Sequence, residues 1–373
     1  MSVITPKDLA NLSVIEDVVV LASADAVRRR AVKEIAVMDA EPLTGDYDSF
    51  HPGDAVFTSL GFSGGDSALI DEALVCLISR DVACIFIKGS IPYEPSERVI
   101  AASRRRSVPL LRYGAGLLEQ IITDARGALA EDARADRLEE QIRHLMALRS
   151  MGDVRRCFAE ITGLSGSRVQ VAAFFADEGD PLVLAALKAQ LSQGLARKTP
   201  CIVARFGTGF VALIAADDFA PLGAKDIEAL TAGFGGRCAA GLSEVLSADA
   251  VDLAISEALG CCEAVQDANH PVATWATLGP DAFHVARRDG RLLERACAAG
   301  LARLAACDEE TGSDLVKSMR AYVECGGDAT LAAERLCQHP NSVRNRVNRA
   351  RAVLAMEDAT DKQLFAYLSM IFL

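Results

Sequence analysis

The sequence predicts a multidomain chain, α/β over most of its length and all-α at its C-terminal end. Three observations carry this. Apolar, β-branched runs alternate with helix-period segments in residues 1–115, and again in 151–310. Between them, residues 116–150 show helical spacing and almost no turn signal. At the end, Asp328–Ala355 reads as a short helix, a tight turn and a longer arginine-bearing helix. The expected division is therefore 1–115, a helical linker 116–150, 151–310 and 311–373.

At 373 residues, with 51% hydrophobic residues, the chain can bury two or three ordinary cores and is not a disordered protein. No run approaches the roughly 18 apolar residues of a membrane span; Ala73–Ile87 is interrupted by Arg80 and Asp81. The N-terminus lacks the basic-then-apolar layout of a signal peptide. Eleven cysteines, an odd number, lie among apolar neighbours, with no C-x-x-C and no histidine pair at metal spacing. A reduced cytoplasm, no metal, no cofactor and no membrane are expected.

In the first segment Val14–Leu21, Val32–Met38, Ala55–Leu60, Val82–Ile87 and Val108–Tyr113 read as strands. His51-Pro52-Gly53-Asp54 is a turn, and Asp66–Ser79 and Pro95–Arg106 are helices, so the strands pair largely in parallel. The loop Gly61–Ser67 lies between a strand and a helix and carries Ser63, Gly64, Gly65 and Asp66. Its backbone N–H groups can hold an anion, with Lys88 and Tyr93 completing an effector site at the strand ends. Alternatively Ser63 or Asp66 simply caps the next helix. A third reading, a nucleotide-binding or adenylating enzyme, needs S-G-G-x-D-S, one residue longer than the run present here.

In the linker, Leu117, Ile121, Ala125, Leu138, Ile142 and Leu145 recur at helical intervals, either pairing with a second copy or packing on their own domain. In the second segment Val169–Phe175, Cys201–Phe206 and Phe210–Ala215 read as strands, the last two a hairpin about Gly207-Thr208-Gly209. Pro181–Leu195 and Ala250–Ala264 read as helices, and Cys238–Gly241 leads into the second of these.

The end of the chain declares a partner. Between Arg335 and Met356 stand five arginines and no acidic residue, a local charge of +5 in a chain of −12. Nucleic acid is the commonest polyanion such a helix meets; the bland alternative is a solvated arginine-rich helix. Leu331, Ala332 and Leu336 form the apolar stripe of the short helix, and Pro340 opens the next, which turns Val343, Val347 and Leu354 inward. Asn341, Ser342, Asn345 and Arg346 are placed to reach base edges, and Arg344, Arg349 and Arg351 to hold phosphates. Ser313–Cys325 is a support helix ended by Gly326-Gly327, Asp328 caps the next, and Leu364–Leu373 packs across the module.

This stretch resembles the helix-turn-helix of the PucR/CdaR family of bacterial transcription regulators, whose run is close to L-x-V-H-R-N-T-L-R-Y-R-L-x-R-I. Leu336, His339, Asn341, Arg344, Arg346 and Arg349 match it, Ser342 stands for its threonine and Val343 and Val347 for its leucines, while Pro340 and Asn345 replace its usual arginine and tyrosine. The words HPGDAVFTSLGF, ACIFIKG and VPLLRY resemble the family's N-terminal sensory domain. The order of elements in 151–310 is similar to its degenerate GGDEF-like domain. The hairpin turn here holds no carboxylate, and Asp177 or Asp217 alone cannot replace a metal-binding acidic pair. The resemblance implies a metabolite-responsive regulator, an activator of a catabolic operon, that binds double-stranded operator DNA as a homodimer.

Overall fold

The computed structural model describes residues 4–176, 181–197, 199–265, 272–278, 281–286 and 290–372. Asp177 lies outside them. The chain forms two units, Met1–Arg137 and Leu138–Leu373.

The first unit runs α1 (Pro6–Ala10), β1 (Val19–Ala22), β2 (Glu34–Met38), α2 (Glu41–Thr44), β3 (Asp54–Thr58), α3 (Ser67–Ser79), β4 (Cys84–Lys88), α4 (Glu97–Arg106), β5 (Leu110–Tyr113) and the start of α5 (Leu118–Ala147). Its sheet order is β1-β5-β4-β3-β2, with β2 to β5 parallel and β1 antiparallel to β5. The side chains alternate between two cores, as the two-residue period of a strand requires. Val56, Ile85, Ile87 and Leu110 meet Ile70, Leu74, Leu77 and Val99 of α3 and α4. Phe57, Phe86, Leu111 and Tyr113 meet Ile121 and Ala125 of α5. Burial on both faces explains the apolar runs Ala55–Phe57 in β3 and Cys84–Ile87 in β4.

The strand expected over Val14–Leu21 contracts to β1. Asp17 and Ser23 bracket it with positive φ angles of 53° and 55°. It lies at the sheet edge, with Val19 48% and Val20 40% exposed. An apolar run therefore does not mark a buried strand here.

The second unit continues α5 and adds α6 (Met151–Thr162), β6 (Arg168–Ala176), α7 (Pro181–Ala196), β7 (Cys201–Phe206), β8 (Gly209–Ala216), α8 (Ala224–Thr231), β9 (Cys238–Leu242), β10 (Leu246–Ser247), α9 (Val251–Ala264) and β11 (Val272–Thr274). Its sheet order is β11-β9-β6-β8-β7, with β6 antiparallel to both β8 and β9 and also paired with β10. The β7–β8 hairpin closes through Gly207, whose φ of 58° suits glycine. The turn contains no carboxylate of its own, but Glu139 of α5 reaches it and accepts the Gly207 N–H at 3.1 Å. Helices α10 (Asp281–Ala286), α11 (Gly290–Thr311), α12 (Leu315–Glu324), α13 (Ala329–Arg335), α14 (Pro340–Val353) and α15 (Asp361–Phe372) complete the chain.

One apolar core runs from Cys261 of α9 through Trp275 and α11 (Leu292, Ala296, Leu304) into α12–α15. The opposite side of α9 (Ala254, Ile255, Ala258, Cys262) packs in the core beneath the sheet. Ion pairs supplement this packing. Arg291 of α11 meets the buried Asp252 at 2.7 Å, and one turn on Arg295 bonds Glu257 and lies 3.3 Å from Glu244.

Burial raises the Glu257 carboxyl from 4.5 to about 7, against the opposing pull of Arg295. A carboxyl whose pKa is raised on folding holds its proton more tightly folded than unfolded. Its contribution favours the fold at low pH and is lost as pH rises from 4.5 through about 7. Glu257→Gln is therefore expected to flatten the decline in melting temperature between pH 5 and pH 8. An identical decline in wild type and variant would refute the assignment.

Candidate nucleic-acid interface

The C-terminal helices are set by local rules. Asp308 of α11 accepts from the Ser313 hydroxyl and from the backbone N–H groups of Leu315 and Val316, so it fastens the start of α12. Burial alone would raise this carboxyl. Its donors and the nearby Arg346 charge outweigh that and lower its pKa. Helix α12 stops at Gly326 and Gly327, with φ of 65° and 84°, and Asp328 caps α13 by accepting from Thr330 N at 2.7 Å. Cys337 takes the left-handed conformation in the following turn, φ 54°. His339 Nδ1 accepts from Asn341 N at 3.2 Å, and Pro340 opens α14 in the position where its missing N–H costs nothing.

Packing divides α14 lengthwise. Val343, Val347, Ala350 and the following Leu354 are buried. Asn341, Ser342, Arg344, Asn345, Asn348 and Arg349 are exposed. Asn341 Oδ1 accepts from Arg344 Nη1 at 3.1 Å, which orients that guanidinium. Among the described residues neither Arg344 nor Arg349 forms an ion pair.

Two expected contacts are corrected. Arg346, expected to reach base edges, turns inward and donates to Ser318 Oγ at 2.8 Å and Gln338 Oε1 at 2.7 Å. Arg351, expected on a phosphate, bonds the Ala359 carbonyl and Asp361. Both flank the buried stripe, Arg346 three residues after Val343 and Arg351 four after Val347, so their long stems lie along the core. That spacing was the signal available in the sequence. Arg335 likewise pairs with Glu324 at 2.6 Å. In α13 the buried pair is Ala332 and Ala333, while Leu331 is 51% exposed. Asn348, on the exposed face, belongs with the candidate residues.

Residues 315–370 match the PucR C-terminal helix-turn-helix domain. The module is a PucR-type reader. A module of this kind is the DNA-binding reader of a transcription regulator, and α14 takes the place of its second, recognition helix. A solved structure, the regulator of polyketide synthase expression from Bifidobacterium adolescentis, is similar at 16% identity and a TM-score of 0.43, covering 63% of this chain and 91% of that one. Comparison with curated proteins returns no match. Among the described residues no helix is long and apolar enough to cross a membrane.

The first unit, Met1–Arg137, holds the other candidate residues. The parallel pairing of β3 with β4 brings the loop Gly61–Ser67, Lys88 and the segment bearing Tyr93 to the carboxyl end of the sheet. The polar side chains there are engaged locally. The buried Ser63 hydroxyl donates to Leu60 O at 2.8 Å and accepts from Gly65 N at 3.1 Å. Asp66 caps α3 by accepting from Ala68 N at 2.9 Å, and Tyr93 donates to Asp71 at 2.6 Å. Gly64 and Gly65, both at positive φ, border open space. A separate cleft of about 610 Å³ runs beside the edge strand β2, lined by Lys33, Glu34, His51, Asp54 and Arg126 among others.

Arg346→Ala removes the donor to Ser318 and Gln338 and is expected to destabilise the protein by about 1–3 kcal/mol. Arg344→Ala and Arg349→Ala, on the exposed face, should stay within about 0.5 kcal/mol of wild type. Thermal unfolding of the three variants checks the division; equal melting temperatures would place Arg346 on the outer face.

Proposed function

We propose that this chain is a metabolite-responsive activator of a catabolic operon that binds operator DNA as a homodimer in the cytoplasm. The observation that carries the DNA-facing part is the exposed side of α14, where Asn341, Ser342, Arg344, Asn345 and Arg349 stand on a recognition helix. Arg344 and Arg349 are the phosphate-holding cations, and the amide and hydroxyl groups between them meet base edges. Two-fold symmetry supplies the second half-site, as it does for helix-turn-helix readers generally.

The remaining parts rest on the resemblance and on topology. The first unit is the sensor; its loop Ser63–Asp66 with Lys88 and Tyr93 lies at the carboxyl ends of parallel strands, where α/β sheets bind small ligands. The middle of the second unit is a degenerate GGDEF-like domain. Among the described residues the carboxylate that reaches the hairpin is Glu139, which bonds Gly207 N and Arg143, and this supports a structural role over cyclase chemistry. Asp66 as a helix cap likewise favours a regulator over an adenylating enzyme. A metabolite shifts the paired readers only if it binds one arrangement more tightly than the other.

An electrophoretic shift with DNA flanking its own gene, at two salt concentrations, tests the reading. Specific binding that weakens with salt is expected. Arg344→Ala and Arg349→Ala should each lower the slope of log affinity against log salt by about one per bound subunit. Arg351→Ala should leave that slope unchanged. Salt-independent binding, or none, overturns the proposal.

A further inference from the structure

The outer face of α14 says which base the helix is built to read. At about 100° per residue, Asn341, Asn345 and Asn348 fall within roughly 60° of one another, on the side opposite the buried stripe. Arg344 and Arg349 stand on either side of this line, and all five residues are exposed. The two arginines that would add guanidinium groups to α14, Arg346 and Arg351, are tied inward. The crest of the helix is therefore a row of amides between two cations.

Chemistry distinguishes this row from an arginine row. A guanidinium offers only donors, and it matches the two acceptors O6 and N7 of guanine. A primary amide offers a donor and an acceptor side by side, which matches N7 and the N6 amino group of adenine in the major groove. The Asn341 oxygen is already occupied by Arg344, so Asn341 orients that cation. Asn345 and Asn348 keep both functions on the crest. They are separated by about 4.5 Å along the helix axis, close to the roughly 3.4 Å between base pairs.

We propose that Asn345 and Asn348 are specificity-determining residues that read adenine, in two nearby A·T pairs of each operator half-site, in the major groove. This rests on the reading of α14 as the DNA-entering helix and adds the base it selects.

Selection of binding sites from a random duplex pool by the full-length protein tests it, followed by affinities on the selected site. A·T pairs should be fixed at the half-site core. Asn345→Ala should reduce discrimination at one pair, and Asn348→Ala at a nearby pair, by roughly ten-fold or more, with unchanged melting temperature. Replacing the read adenine by 7-deazaadenine, which removes the N7 acceptor, should weaken wild-type binding and leave the matching alanine variant unaffected. Selection of G·C pairs at the core overturns the proposal. So does an A·T core whose discrimination survives in both variants, since groove shape would then be the determinant. Failure to enrich any sequence overturns the regulator reading itself, and this one with it.

Discussion

Helix α14 works because one side of it is committed to the protein. Four apolar side chains, Val343, Val347, Ala350 and Leu354, are buried against α11, α12, α13 and α15, and this burial dictates which residues remain outside. Burying such side chains is worth on the order of 1.5–3 kcal/mol each for the larger ones, far more than any exposed ion pair. Position on the helix therefore outranks residue type: an arginine beside the stripe becomes part of the structure, and one opposite it stays in solvent. Five arginines and no acid in the sequence become two outward-facing cations on α14.

How much of this was legible beforehand follows the same logic. The central strands and the helices α3, α4, α12, α13 and α14 announce themselves through period, caps and breakers, and Asp66, Asp328 and Pro340 sit where those signals put them. Spacing from Val343 places Arg346 beside the stripe, but its partners, Ser318 and Gln338, were concealed because they come from another helix and from a turn. Glu139 at the hairpin was hidden for the same reason, 68 residues away from Gly207 in sequence. The edge strand β1 misled in the opposite direction. Its valines look like core because they are β-branched and consecutive, yet an edge needs only one neighbour.

Helix α11 was the largest omission. Its alanine-rich stretch carries no strong period, and its charges suggest an exposed surface helix. In the fold those charges have specific work: Arg291 and Arg295 meet Asp252 and Glu257, carboxylates that would be costly to bury without a cation nearby. Sequence shows the charges, and only the tertiary structure shows that they are complementary.

That helix also bears on where the reader ends. The family match begins at 315, yet Leu292, Ala296 and Leu304 sit in the same apolar core as α12, α14 and α15, and Asp308 fastens the first turn of α12. A fragment excised at residue 311 would leave part of its hydrophobic seat behind and expose the inner side of its own helices to water. The stretch matched as a module, 315–370, is thus smaller than the apolar core its helices share, and the orientation of α14 is inherited through α11 from the α/β layer before it.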